Sequence, residues 1–478
     1  MRLPPPFGWS KEDENAPVAV SVQGTIPAWL RGTLMRTAPC LYELGEWKAG
    51  HWFDGLALLY SFQFGGSGVA FKQRLLESDS RKELSAGVRS RAAFRTEMKR
   101  GFFNRLFHPI PRTTDNTNVN VVPWEGAWLS MTETSHQHVI DGDTLETRGT
   151  YKFQDGLGRT TLSAHPFPNP GVAKSLINIG SEMGIKNGLC IYRQQQGSPS
   201  RTIEGRVRLE RLPYVHSFGV SPRYATLLEH PFTVSPRDML WSNRGFIEHF
   251  KWQPERGGRI WLLNRADGTS RAYETKAFFC FHTINQFEDG DDVVLDFLAW
   301  DDPSIIEQLK IELLAKGHPP VQSKWVRARL KKGQSKADFE VMSETPFEFP
   351  VLNLKRSQCK PTEVVWGATI TGSTRPPGAT APGGETADGA DAAVLKVVHG
   401  KPVERFTSKG WTHGEPVMVP APNATADDEG VLLAVASHAE GTKTGLFVID
   451  AKSLTEIARV EIDVGLPLGF HGSFRLDA

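Results

Sequence analysis

The sequence predicts an all-β chain that folds as a β-propeller rather than a sandwich, on three observations. Short apolar or alternating stretches recur from residue 18 to residue 464. Turn formers separate them: 45 Gly and 32 Pro, alongside 13 Trp and 27 Phe, describe many short strands joined by turns. The strands do not alternate with helices, as a parallel βαβ sheet requires. No crisp repeat of WD or kelch type accompanies the pattern.

Taken in order, residues 1–16 read as a polar, Pro-rich arm, and strands are expected over 18–26, 32–37 and 56–64. Between the last two lies His51-Trp52-Phe53-Asp54-Gly55. It could be half a metal site, but a turn whose Asp accepts backbone N–H groups is the expected reading. Phe94, Met98, Phe102 and Leu106 then fall at helical spacing, interleaved with Arg91, Arg95, Lys99, Arg100 and Arg105. Such a basic amphipathic helix lies on a bilayer, rims an apolar tunnel, or covers the core with a solvated face. Gly101 and the Pro109/Pro111 pair limit its length.

From residue 113 the chain reads as near-continuous β structure, with strands over 118–122, 127–134, 138–151, 174–180, 189–193, 205–212, 224–228 and 259–263. Residues 278–287 (FFCFHTINQF) form an apolar strand with His282 at its centre, and after an acidic turn residues 293–300 return beside it. Asp302-Pro303-Ser304 starts a helix whose buried stripe is Ile305, Ile306, Leu309 and Leu313, with Gly317 as its stop. Strands resume over 325–330, 363–371, 393–399, 431–437, 446–450 and 458–464, while 373–390 reads as a mobile surface loop. With no composition shift that marks a linker, 1–478 reads as a single domain.

Lys+Arg 55 against Asp+Glu 54 leave a formal charge of +1, which gives no footprint for nucleic acid. Cys40, Cys190, Cys280 and Cys359 lie far apart without a CxxC pair, which suits a reducing compartment better than a disulfide framework or a thiolate zinc site. The first residues lack an apolar h-region and no stretch reaches the roughly 18 apolar residues of a spanning helix. The expected setting is cytoplasmic, with a membrane contact through 94–111 left open beside the core-covering reading of that segment.

Phosphate loops, GxGxxG, GxSxG and HExxH are absent. His438-Ala439-Glu440 resembles a fragment of a two-His-one-carboxylate site but reads as an exposed turn after a strand. Four histidines have small or apolar neighbours: His165 (SAHPF), His216 (YVHSFGV), His282 (FCFHTIN) and His471 (GFHGSF). Singly, such a residue is ordinarily a hydrogen-bonded core histidine. In a propeller, the innermost strands share one axis, so one residue from each of four blades can meet at a point. Four neutral imidazoles with open positions favour Fe(II), with copper and zinc left open by ligand type. A ligating His donates its other N–H to a carboxylate or carbonyl. Glu133 (SMTETS), Glu348 (PFEFP) and Glu415 (HGEPV) stand in suitably apolar contexts, although each is ordinarily a surface or salt-bridged residue.

Around those seven residues, the chain resembles the carotenoid cleavage oxygenase family, and looks most like its animal-type β-carotene oxygenase and retinoid isomerase branch. The stretches that carry the resemblance are 32–62 (GTLMRTAP…HWFDGLALLYSF), 114–135 (TDNTNVNV…TETS), 164–181 (AHPF, INIGS) and 214–232 (YVHSFGVSPRYATLLEHPF). Residues 279–290 (FCFHTINQFEDG), 347–353 (FEFPVLN) and 414–474 (GEPVMVPAP…FHGSF) complete it. The resemblance implies a seven-bladed propeller with a dome of helices and loops over an Fe2+ centre. It maps the iron ligands onto His165, His216, His282 and His471, and the glutamates that orient the last three onto Glu133, Glu348 and Glu415. Val119 falls where a small branched side chain flanks one coordination position. Arg36-Thr37-Ala38-Pro39-Cys40 departs from the usual Arg-Asn-Gly-Pro-Gly turn, and 102–111 lacks the PDPC-type sequence of the animal branch. The implied activity is a dioxygenase that cleaves a C=C bond of a carotenoid or apocarotenoid with O2, for example β-carotene to retinal. A retinoid isomerohydrolase or a lignostilbene-type dioxygenase on the same iron site, and a non-enzymatic propeller scaffold, are the competing expectations.

Overall fold

A computed structural model describes residues 7–9, 14, 17–66, 68–157, 161–184, 186–316, 322–369 and 392–477. The loop expected at 373–390 lies outside the described residues. Of the arm expected at 1–16, Phe7 and Trp9 are buried and Glu14 Oε1 accepts the Leu75 N–H at 2.8 Å, so its described part is packed down.

Seven antiparallel sheets of four or five strands dominate the described residues, with two smaller sheets beside them. They form a seven-bladed β-propeller. The innermost strands of six blades are Asn120–Trp124, Thr161–Leu162 with Phe167–Pro168, Gly219–Val220, Thr283–Asp289, Glu348–Val351 and Trp411–Pro420. The seventh blade closes the ring. Its innermost strand, Gly472–Leu476, comes from the far end of the chain and pairs with Gly32–Leu41, followed outward by Leu56–Gly65 and Gly68–Leu75. Closure ties the two ends of the chain into one blade, and the strand edges left at the axis are short and protected.

The core is a ring of seams. Each blade has two faces to bury, and the alternating side chains of adjacent blades interlock between them. Met35 and Leu59 meet Val121 and Trp128, Ile179 and Ile191 meet Leu227, and Ile260 and Leu262 meet Leu295 and Phe297. Leu298 and Trp325 meet Val365 and Leu395, Trp366 meets Leu432 and Phe447, and Leu433 and Val448 meet Leu34 and Leu58. Truncating one such Leu to Ala costs about 2–5 kcal/mol.

The long connections gather at one end. Phe7, Trp47, Trp52, Phe232, Phe250, Ile305, Ile306 and Leu309 form one cluster there with Phe279, Phe281 and Phe470, which flank the innermost strands. This is the dome, and among the described residues it holds only short helices, such as Asp79–Ser85, Phe102–Phe107 and Ser304–Gln308.

Three local expectations change. The helix expected from Phe94 onward is confined to the six residues Phe102–Phe107. Asp54 takes the N–H groups of Phe94 (2.7 Å), Arg95 (3.1 Å) and Thr96 (2.8 Å), and Asn243 O takes that of Met98 (2.7 Å). Those donors are lost to an i→i−4 ladder. The helix after Asp302 breaks at Lys310, because the Leu309 carbonyl accepts from Trp52 N–H and the Ile311 N–H goes to Gly50 O. Finally, ladder pairing begins at Thr283, so His282 precedes its strand, although the Leu298 N–H still donates to His282 O at 2.9 Å and a Phe279–Trp300 bridge continues the pairing upstream.

Candidate metal centre

The candidate residues sit where the chain enters the innermost strands. His216 comes three residues before Gly219–Val220, while His282 and His471 immediately precede Thr283–Asp289 and Gly472–Leu476. His165 occupies the break between Thr161–Leu162 and Phe167–Pro168. Val119 immediately precedes Asn120–Trp124, Glu348 opens Glu348–Val351, and Glu415 lies at a register shift in Trp411–Pro420. Every blade therefore places a residue at the same end of the axis. Bonds between blades fix the register: Ser163 Oγ donates to His216 O, Ser217 Oγ to Phe281 O, and His471 N–H to Val119 O.

Four imidazoles converge. The ligand atoms of His165, His216, His282 and His471 all lie within 4.8 Å of one another. Neighbouring Nε2 atoms are 2.8 Å apart for His165–His216, 3.1 Å for His216–His282 and 3.3 Å for His282–His471. On the far side of three rings stands a carboxylate. His216 Nδ1 is 2.5 Å from Glu133 Oε1, His282 Nδ1 is 2.6 Å from Glu348 Oε2, and His471 Nδ1 is 2.7 Å from Glu415 Oε1. An ionised carboxylate only accepts, so each Nδ1 carries the proton and each Nε2 turns a lone pair inward. No carboxylate is paired with His165 among the described residues.

Burial, and then the neighbouring imidazoles, hold His165 and His471 well below the ordinary histidine range. Inward lone pairs this close repel unless something positive lies between them, so a divalent cation fits the donor set.

The carboxylates have partners of their own that the sequence reading did not identify. Tyr214 OH lies 2.9 Å from both oxygens of Glu133, Trp300 Nε1 donates to Glu348 Oε1 at 2.7 Å, and Arg36 Nη2 stands 3.1 Å from Glu415 Oε2. Burial pushes the Glu415 carboxyl up to about 7, against the opposing pull of Arg36 and then His282. Phe349 was also missed. It holds φ 55°, a backbone conformation rarely adopted outside Gly, Asn and Asp, and lays its ring 5.7 Å from His282 and 5.3 Å from His471. One signal for Tyr214 was available, since residues two apart in an extended segment share a face with His216.

Two discarded candidates lie elsewhere. His51 is buried with both ring nitrogens engaged, Nδ1 accepting from Phe53 N–H and Nε2 2.9 Å from Ile306 O. His438 ends its strand beside an exposed Glu440.

His216, His282 and His471 open onto a cavity of about 1690 Å³. Phe53, Phe94, Phe281, Phe349, Phe470 and Leu309 line its inner part, with Val119 beside them. Asp54 and Glu348 also reach the wall, but their oxygens are already engaged.

A propeller whose seven blades converge on four imidazoles beneath an aromatic cavity defines a class: metal-dependent propeller oxygenases. The chain belongs to the retinal pigment epithelial membrane protein family, the carotenoid cleavage oxygenases, whose profile matches residues 8–476. It is 28% identical to the mitochondrial carotenoid-cleaving dioxygenase of Mustela putorius furo, over 97% of this chain and 94% of that one. Identity to the beta,beta-carotene 15,15'-dioxygenase of Rattus norvegicus is 26%, over 99% and 91%. For the chloroplastic carotenoid cleavage dioxygenase 8 of Arabidopsis thaliana it is 29%, over 97% and 84%. The fold superimposes on the cobalt-substituted Synechocystis apocarotenoid oxygenase with a TM-score of 0.80, at 23% identity and 96% coverage of both chains.

Proposed function

We propose that the protein is a non-haem Fe(II)-dependent dioxygenase that cleaves a C=C bond of a carotenoid or apocarotenoid, of which β-carotene to retinal is one instance. The observation that carries this reading is the convergence of four imidazoles at the wall of a cavity whose lining includes five phenylalanines near them. His165, His216, His282 and His471 would hold the iron, and Glu133, Glu348 and Glu415 would fix the tautomer and tilt of three rings. Bound Fe(II) supplies the redox chemistry by which O2 reacts with an alkene, both oxygen atoms ending in two carbonyl products.

The chain's own residues have the remaining work of binding and exclusion. Phe53, Phe94, Phe281, Phe349 and Phe470 present ring faces and edges to a flat, apolar polyene and leave little for water to bond to. Val119, whose carbonyl accepts the His471 N–H, narrows one approach to the centre. No side chain is needed as general acid or base in this reaction.

The membrane contact expected at 94–111 would rest on an exposed apolar patch of Phe102, Phe103, Leu106, Phe107, Ile110 and Trp241, with Phe103 and Phe107 each 72% exposed. Ile110 belongs both to this patch and to the cavity wall, so the patch and the cavity adjoin where a lipid-dissolved substrate would enter. Among the described residues no helix is long and apolar enough to cross a membrane. Four unpaired thiols fit a reducing compartment, and we assign the protein to the cytoplasm, peripheral to a membrane.

The test is aerobic and anaerobic incubation of iron-loaded protein with carotenoids, apocarotenoids, a retinyl ester and a stilbene. Oxygen-dependent appearance of two carbonyl fragments from a carotenoid supports the reading. Oxygen-independent turnover of the ester would move it to isomerohydrolysis, and cleavage of the stilbene alone would change the substrate class.

A further inference from the structure

Among the described residues, Arg36 is the one buried cation that reaches the carboxylates behind the histidines. Its guanidinium makes three contacts at 3.1 Å. Nη2 meets Glu415 Oε2, Nη1 donates to the Glu415 carbonyl, and Nη2 donates to the carbonyl of Phe470, the residue before His471. One side chain thus holds both the carboxylate that orients His471 and the backbone that delivers it. Arg36 is 1% exposed, and its strand runs between Tyr60 on one side and Gly472 on the other. A Cβ on Gly472 would stand 2.5 Å from Arg36 Cγ, so glycine after His471 is what lets this side chain pass.

The other two carboxylates are met by neutral donors, the Tyr214 hydroxyl and the Trp300 indole. Among the described residues no other arginine or lysine pairs with Glu133, Glu348 or Glu415. In a loaded centre, where the three carboxylates are ionised and the four imidazoles ligate as neutral rings, the carboxylates carry −3 and Arg36 +1, leaving −2 around the metal. A divalent cation cancels that charge, whereas a trivalent one leaves an excess of +1 in a buried site. Without Arg36 the surroundings would carry −3 and match a trivalent ion instead. Uncompensated charge is costly in a low-dielectric interior, so this difference tells on the metal.

We propose that Arg36 is a positioning residue that sets the charge of the centre for a divalent metal and, through Glu415, the orientation of His471. The proposal rests on the iron reading above and concerns the metal's oxidation state, not the substrate. The experiment is a redox titration of iron-loaded wild type, Arg36→Met, Glu415→Gln and the double variant. Gln still accepts from His471 Nδ1–H but carries no charge. Arg36→Met raises the preference for ferric over ferrous iron about tenfold, a fall of about 59 mV in midpoint potential. Glu415→Gln shifts it the other way, and the double variant returns toward wild type. Should Arg36→Met not fold, Glu415→Gln against the double variant carries the same comparison, because that pair exchanges a buried ion pair for neutral side chains of similar size. Equal potentials in the folded variants would overturn the proposal. Wild-type protein that holds no iron would overturn the metal reading instead.

Discussion

The indole N–H of Trp300 ends on the same carboxylate that holds a candidate metal ligand: Nε1 lies 2.7 Å from Glu348 Oε1, while Glu348 Oε2 faces His282 Nδ1 at 2.6 Å. Both oxygens of a buried anion are thereby engaged, and the ring of His282 is left one tautomer. Glu348→Gln should therefore weaken iron retention by about one to two orders of magnitude. Trp300→Phe, which leaves the carboxylate in place but frees one oxygen, should weaken it in the same direction by less. Competition of the loaded proteins against a chelator measures both, and unchanged retention in Glu348→Gln removes its orienting role.

Phe281 stacks edge-on with His216 at 5.3 Å and with Tyr214 at 6.1 Å, and lines the cavity. Phe281→Ala should cost about 3–5 kcal/mol of stability, because it removes a buried ring from a packed wall. It should also loosen the choice of scissile bond, read as a second pair of aldehydes from a single substrate.

The exposed patch predicts lipid binding. Each large apolar side chain that moves fully from water into lipid gains about 1.5–3 kcal/mol. Replacing Phe103 and Phe107 together by Glu should abolish sedimentation with phosphatidylcholine vesicles while iron content stays at the wild-type level. Full co-sedimentation of this variant would remove the docking role.

Acid should weaken one outlying clamp. Asp155 accepts from Arg201 Nε at 2.9 Å and from Arg201 Nη2 at 2.7 Å, and these bonds outweigh burial to hold its carboxyl down at about 2. A depressed folded-state value stabilises the protein above the unfolded value of about 3.9, and that stabilisation is lost as pH falls toward 2. The difference in unfolding midpoint between wild type and Asp155→Asn should be full at pH 5 and shrink steadily below about pH 4. A difference independent of pH contradicts this origin.

The propeller was legible because middle strands of the blades are buried on both faces: Leu432, Leu433 and Ala434 are consecutive and fully buried. Two outer strands escaped, Asp338–Ser343, which is mostly exposed, and Gly68–Leu75, which is part-buried, since each carries only a short alternation, Phe339 with Val341 and Val69 with Phe71. The four histidines stood out through small and aromatic neighbours. Arg36 and Glu415 did not read as a pair because 379 residues separate them, and only ring closure brings them together. The helix spacing that begins at Phe94 misled for a related reason, as a carboxylate 40 residues upstream claims the first N–H.

The central claim is that four imidazoles, each from a different blade, hold a single ferrous ion. Metal analysis of anaerobically loaded wild type beside His165→Ala, His216→Ala, His282→Ala and His471→Ala tests it most directly. The account predicts one iron per wild-type chain and a marked loss in every variant. Retention of a full equivalent of iron by any of the four would contradict it.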